Sequence, residues 1–417
     1  MTEPEKRPEA EPGPRASVDE GLTLAVFVAL LFPACMVCLF WFGSAFSTLP
    51  LNLLPGLAGL AGAALLFAVT TIPGDGRWRP FLQKASKAVA ALALVVLAVA
   101  LGWNAYRNSI TIPNYPEAHL DTDLYQPFSE ESRIARLEGE AALRFSGEDK
   151  APILDGEASL FPLCAAMVNA AYPAEDFPNF MGGKIASPYF NAMGYYRSLG
   201  IEEVDIFFDS APANSAGFYY GEWGTPSWEL EAVLLGGQGL VFFTHADNPV
   251  EGLTREQLRD IYAGEITNWA QVGGEDIPIL PYQRHGNSVI QAALVRFMGD
   301  TPLVQAPTEE RRYLSGHGGE YLADYRNSPG AIGFTFSAYA DQLQEKYHIK
   351  LLAVDGVYPD GAAIGRGDYP VTDPIYMVLR PGEQSQEVDR FTAWALSEEG
   401  QELVARAGYV PAAKIEQ

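Results

Sequence analysis

Membrane-crossing helices followed by an α/β domain are what this 417-residue sequence predicts. Three observations carry that expectation. The first 103 residues hold three long apolar stretches. The charge balance changes abruptly after them. From about residue 150 onward, strand-like apolar runs alternate with helix-like patterns, as in α/β folds.

The apolar stretches are about Leu22–Phe46, Leu51–Ile72 and Ala85–Trp103. Each has close to the roughly 20 residues that a helix needs to cross about 30 Å of hydrocarbon. The first is too long for a cleaved signal peptide, and no A-x-A site follows it. Lys6, Arg7 and Arg15 precede the first stretch; Arg77, Arg79, Lys84 and Lys87 cluster around the loop between the second and third; Ser47–Pro50 carries no basic residue. The excess of Lys and Arg on the cytoplasmic side orients membrane helices. It puts the N-terminus and the second loop inside, and everything after Trp103 outside. The expected domains are a disordered cytoplasmic tail at 1–20, a three-helix anchor at 21–103 that contacts lipid, a linker at 104–150 and a large outer domain at 151–413. No acid, His or Arg sits inside a span to mark an ion path. Gly56, Gly59 and Gly62 read either as close helix packing or as ordinary membrane glycines.

Within the outer part, strands are expected at Val204–Phe208, Gly239–Phe243, Ile277–Leu280, Ala331–Phe334 and Lys350–Val354. Helices are expected at Leu160–Ala171, Arg255–Ala263, Val289–Met298 and Val388–Ala405, with a short amphipathic segment near Ser129–Leu143. That alternation predicts mostly parallel sheets, whose ligands sit beyond the carboxyl ends of the strands.

Two strand-to-helix junctions stand out. In Asp155-Gly156-Glu157-Ala158-Ser159-Leu160-Phe161-Pro162, Ser159 can cap the following helix. In Pro281-Tyr282-Gln283-Arg284-His285-Gly286-Asn287-Ser288, Asn287 or Ser288 can do the same. A helix N-terminus offers unpaired N–H groups and partial positive charge, which favour a bound anion. Arg284 adds a guanidinium suited to a two-pronged oxyanion contact.

Composition excludes other classes. Residues 1–110 carry 8 Lys and Arg against 7 Asp and Glu, and the remainder carries 20 against 45, so the net charge of −24 comes entirely from the outer part. Such a surface repels nucleic acid. It does not exclude an anionic ligand, because salt screens distant carboxylates within about 8–10 Å. The histidines, His119, His245, His285, His317 and His348, are scattered, and no H-E-x-x-H or G-x-S-x-G appears, so no catalytic or metal residue and no cofactor is expected. Cys35 and Cys38 read as apolar membrane residues, and Cys164 is the single cysteine of the outer part, so no internal disulfide is expected there.

Several segments together resemble the phosphate-type solute-binding proteins of ABC transport. Leu253-Thr254-Arg255-Glu256-Gln257-Leu258-Arg259-Asp260-Ile261-Tyr262-Ala263-Gly264-Glu265-Ile266-Thr267-Asn268-Trp269 is similar to that family's long LT-x-x-QL signature. Arg284 with Asn287-Ser288 resembles its anion loop, and Ser328-Pro329-Gly330-Ala331-Ile332-Gly333-Phe334 its AIGY strand. Pro370-Val371-Thr372-Asp373-Pro374-Ile375-Tyr376 and Ser397-Glu398-Glu399-Gly400-Gln401 resemble two further motifs. The resemblance covers roughly 150–413. It implies a type II periplasmic-binding-protein-like fold: α/β, two lobes joined by two crossings, ligand in the cleft. Lobe one is expected at 151–243 plus 338–413 and lobe two at 244–337, with crossings near Phe243–Asp247 and Phe336–Ala340.

The resemblance also implies a site. Ser159 and Leu160 fall at the first anion loop and Ser187 near the second. Arg284, Asn287 and Ser288 match the third, while Asp209-Ser210 stands where the family has its acidic acceptor, with the two residues exchanged. Val289 and Ile290 replace a Gly and a Ser/Thr of the pattern. The expected function is extracytoplasmic binding of a small oxyanion, phosphate first, for uptake or sensing beside an ABC permease or a membrane sensor. The alternative is a tethered receptor or structural module of the same fold with another ligand or none.

Overall fold

The computed structural model describes Gly59 and residues 62–64, 79–111, 120–146, 149–174, 204–210, 231–284, 288–304, 325–379 and 384–415. The chain divides into two compact units, Met1–Ser109 and Ile110–Gln417. The first two expected spans lie outside the described residues, apart from Gly59 and 62–64.

Among the described residues of the first unit, one helix dominates: α1, Arg79–Ile110, 32 residues long. Its Gln83–Ile110 portion is long and apolar enough to cross a membrane. It outruns the expected Ala85–Trp103 at both ends, because helix-forming residues continue past the apolar run. Leu92 and Val99 are largely exposed along it. Gly59 lies so close to Ala93 that a Cβ would collide with it, whereas no described residue comes within 4 Å of a Cβ at Gly62. Close helix packing therefore accounts for Gly59.

Among the described residues, the second unit is built on one eight-stranded sheet in the order β1-β2-β9-β3-β6-β5, with β10 and β7 pairing onto β3. These strands are β1 Leu154–Gly156, β2 Ile206–Asp209, β3 Glu231–His245, β5 Leu280–Pro281, β6 Ala331–Phe336, β7 Ile349–Leu351, β9 Thr372–Leu379 and β10 Val410–Pro411. A separate pair joins β4, Gly252–Leu253, to β8, Ala353–Val354. The long β3 organises the whole. Up to Gly239 it pairs with β9 and β10; from Leu240 it pairs with β6 and, from Phe243, β7. One strand thus serves two half-sheets, which form the two lobes.

The helices flank these halves. They are α2 Phe161–Ala171, α3 Arg255–Ala263, α4 Val289–Met298, α5 Ser337–Lys346, α6 Gly361–Gly365, α7 Gln386–Ala395 and α8 Glu398–Arg406. α3 starts where expected because Thr254 and Gln257 form a reciprocal capping box. Asn268 and Gln271 repeat the device ahead of Trp269, whose fully buried ring donates its N–H to Gly330 O at 3.0 Å. The long signature is therefore a set of caps and of buried anchors, Leu258, Ile261, Tyr262 and Trp269.

Several expectations change. The sheet is not mostly parallel: β3 runs antiparallel to β6, β7, β9 and β10, and among the described residues of the large sheet only β1–β2 and β5–β6 are parallel. The first crossing falls at Gly239–Leu240, ahead of Phe243–Asp247. Gly236 and its neighbours read as a strand end in sequence, yet a Cβ at Gly236 would strike the Val410 carbonyl, so glycine is what lets β10 close onto β3. After the second crossing at Phe336, β7 and β8 still lie with β3 and β4 on the second-lobe side, so 338–413 is not wholly lobe one. The described part of the expected linker belongs to the domain. Ala141, Leu143 and Phe145 are buried alternately, a period of two rather than 3.6, so Ser129–Leu143 forms no helix. The expected helix Val388–Ala405 is two helices, because Ser397 caps α8 by accepting from the Gly400 N–H.

Candidate functional site

The candidate residues lie at the ends of β1 and β2 in one lobe and at the β5–α4 junction in the other. On the first lobe, β1 leads into a 3-10 turn, Ala158–Leu160, which opens α2. Ser159 lies in that turn and does not cap α2; its hydroxyl is buried and has no hydrogen-bond partner among the described residues. The Leu160 N–H is already engaged, donating to Glu157 O at 2.9 Å. Asp209 and Ser210, at the end of β2, are both buried. Ser210 Oγ donates to Glu157 Oε2 at 2.7 Å.

Glu157 is the residue that sequence reasoning passed over. Burial, and then the Asp209 charge beside it, push its carboxyl well above the ordinary range. Both causes disfavour the charged form of Glu157. A further pair closes the cluster: Arg296 of α4 meets Asp373 of β9 with two contacts, at 2.8 and 2.7 Å. Burial pushes Asp373 up and Arg296 draws it back. On Arg296 burial acts downward, and the ion pair more than offsets it. Gln238, opposite Asp373 in the β3–β9 register, is fully buried with both amide atoms unpartnered among the described residues. Asp373 lay inside the Pro370–Tyr376 motif and was the one readable signal of this group; Arg296 and Gln238 carried none.

On the second lobe, Arg284 is buried, with Nη2 donating to Phe334 O at 3.0 Å and the guanidinium 5.7 Å from the Phe334 ring centroid. Its backbone N–H donates to Gln291 Oε1 at 2.7 Å, and Gln291 also bonds Gln283, so one glutamine of α4 fixes the loop. Ser288 caps α4, accepting from the Gln291 N–H at 3.2 Å. Val289 and Ile290 occupy the first turn, where backbone N–H groups have no intrahelical acceptor. Ser187 and Asn287 lie outside the described residues.

Two half-sheets sharing one through-going strand, with polar residues gathered where the lobes meet, define a two-lobed α/β binding domain of the periplasmic-binding-protein kind. Residues 197–399 match the sequence profile described as a PBP superfamily domain, so the chain carries a PBP-like domain. It is similar to the phosphate-binding protein PstS of Bacillus subtilis, 27% identical over 175 residues, or 42% of this chain and 55% of that protein. It is also similar to the phosphate-binding protein PstS of Borreliella burgdorferi, 25% identical over 174 residues, or 41% of this chain and 62% of that one. The match thus spans little more than half the length of these relatives. Solved structures it resembles include an ABC-type phosphate transport receptor from Vibrio cholerae (TM-score 0.36, 24% identity, 53% of this chain and 85% of that one). PstS from Borrelia burgdorferi is another (TM-score 0.36, 18% identity, 63% and 99%).

Proposed function

We propose that the outer domain binds a small oxyanion, phosphate first, between its lobes, in support of ABC-type uptake or sensing, and that the N-terminal helices hold it at the membrane. The observation that carries the reading is Ser159: a hydroxyl 1% exposed, without a partner among the described residues, in the turn that opens α2. A buried hydroxyl left unpaired costs about 1–3 kcal/mol, which a bound acceptor recovers. Arg284 and the first turn of α4 supply charge and N–H groups from the other side, and two relatives named as phosphate-binding proteins fit that chemistry. Burial disfavours the charged form of Glu157 beside Asp209, which lessens the cluster's opposition to an anion. No catalytic step is assigned.

The apolar surface of α1 favours lipid, and the placement of Lys and Arg favours a cytoplasmic N-terminus with the domain outside. Protease added to intact cells should then remove the domain; its protection would overturn this topology.

The second reading, a tethered receptor for another ligand, draws support from Leu160, Ser210 and Ser288. All three already have internal partners, and Val289 and Ile290 add no donor side chain. Calorimetry of the detergent-solubilised full chain separates the two. Phosphate should bind, and Arg284→Ala should weaken it by about tenfold to a hundredfold. If millimolar phosphate gives neither heat nor a rise in melting temperature, the phosphate reading fails. Binding of sulfate or a neutral sugar alone would establish the second.

A further inference from the structure

Away from the cleft, three side chains that the oxyanion reading leaves unused meet at the far end of β3. His245 is the last residue of β3, Asp247 follows in the turn, and His348 stands just before β7. The β3–β7 ladder sets His245 opposite Ile349. The Ala246 N–H donates to His348 O at 3.1 Å, and Asn327 Nδ2 donates to the same carbonyl at 2.6 Å. The Asn248 N–H donates to His245 O at 3.0 Å. The backbones beneath both imidazoles are therefore fixed before any ligand arrives. His348 Nε2 lies 2.9 Å from Asp247 Oδ1, and His245 Nδ1 lies 3.8 Å from Asp247 Oδ2. The two rings stand edge to face with centroids 5.0 Å apart. One ligand atom from each residue falls within a common span of 4.8 Å.

We propose that His245, Asp247 and His348 bind a divalent transition-metal ion of the zinc class. Zinc holds imidazole nitrogen and carboxylate oxygen at about 2.0–2.2 Å, so tetrahedral ligand atoms stand roughly 3.3–3.6 Å apart. The spacings here bracket that value. Side-chain rotation closes the difference, since the side chains of Asp247 and His348 are 76% and 65% exposed. Two nitrogens and one oxygen suit zinc, copper(II) or nickel(II) and not magnesium or calcium, which take oxygen ligands. The fourth position faces solvent and takes water. One contact must yield: the Asp247 N–H donates to His245 Nδ1 at 3.2 Å, and in an exposed turn water replaces it.

The test uses the full chain, purified with a tag free of histidine, stripped with chelator and kept in phosphate-free buffer. Titration with cobalt(II), read by its visible d–d absorption, and with zinc, read against a chromogenic chelator, should show one site. Excess magnesium or calcium should not displace the ion. A His245→Gln/His348→Gln double variant should lose the site, and Asp247→Asn or His348→Ala should weaken it by at least about tenfold. His348 is exposed, so its variant should keep the parent's circular dichroism and lose only the zinc-dependent rise in melting temperature. Equal metal uptake by parent and double variant, or no uptake at tens of micromolar zinc, would overturn the proposal.

Discussion

Arg296 and Asp373 join the two lobes through a two-pronged ion pair, Nε to Oδ1 at 2.8 Å and Nη2 to Oδ2 at 2.7 Å. Arg296 belongs to α4, packed on the β3–β6 side, and Asp373 to β9 on the other half-sheet. The Asp373 side chain is only 4% exposed, so the pair is not a screened surface contact.

Breaking that pair from either side should be costly. Arg296→Ala leaves a buried carboxylate beside Asp209, and Asp373→Ala leaves a half-buried guanidinium without its partner. Either should lower stability by about 3–5 kcal/mol in denaturant unfolding, because an uncompensated charge stays in the interior. Replacing both by a well-packed apolar pair should recover most of the loss. If each single variant unfolds like the parent, the lobes are not held together here.

Stability should fall as pH rises from about 4 to about 7. Burial pushes the Asp155 carboxyl up to about 7, and the Gly156 N–H at 2.8 Å only partly opposes this. The unfolded group titrates near 3.9. Between those values the folded chain holds the proton that the unfolded chain has released. The stabilisation is therefore complete below about pH 4 and is lost as pH climbs through 7, on the order of a few kcal/mol. Glu157, also raised, adds to the same slope. Asp155→Asn should flatten the profile without abolishing it. An unchanged slope in that variant would show that Asp155 stays ionised.

Cys164 should be silent until the domain opens. It is fully buried, and burial pushes its thiol well above the usual range, so neither thiolate nor access is available. In a Cys35→Ser/Cys38→Ser background, a thiol reagent should label Cys164 only at the rate of unfolding. Immediate labelling under native conditions would contradict the packing of α2.

What the sequence showed in advance divides along the range of the interactions involved. α3 and α4 were read to the residue, because Thr254 and Ser288 cap them through contacts three residues away. β3 was seen only from Gly239, since its glycine-rich first half makes sense only once β10 closes on it. Arg284 and Ser159 could be singled out from their motifs, and the fold buries both. Arg296 and Asp373 lie 77 positions apart, and no periodicity joins them. Whether a hydroxyl is free was equally invisible: Ser210 and Ser288 looked like Ser159 until Glu157 and Gln291 took them up.

That last contrast separates the two serines by experiment. Ser288 Oγ accepts from the Gln291 N–H, and Gln291 in turn holds the Arg284 N–H. Ser288→Ala should therefore lower stability by about 1 kcal/mol, the usual loss of a helix cap. Its effect on phosphate affinity should be smaller and indirect, through the loop that Gln291 fixes. Ser159 Oγ has no internal partner among the described residues, so Ser159→Ala removes no intramolecular bond and relieves a buried unpaired hydroxyl. Its melting temperature should stay level or rise. If phosphate takes that hydroxyl, affinity should drop by about threefold to tenfold, the range of one neutral hydrogen bond. Measuring unfolding and calorimetric affinity on both variants gives opposite patterns: stability lost at 288, affinity lost at 159. If Ser159→Ala binds phosphate as the parent does, its hydroxyl takes no part in the site, and the oxyanion is held by the α4 side alone.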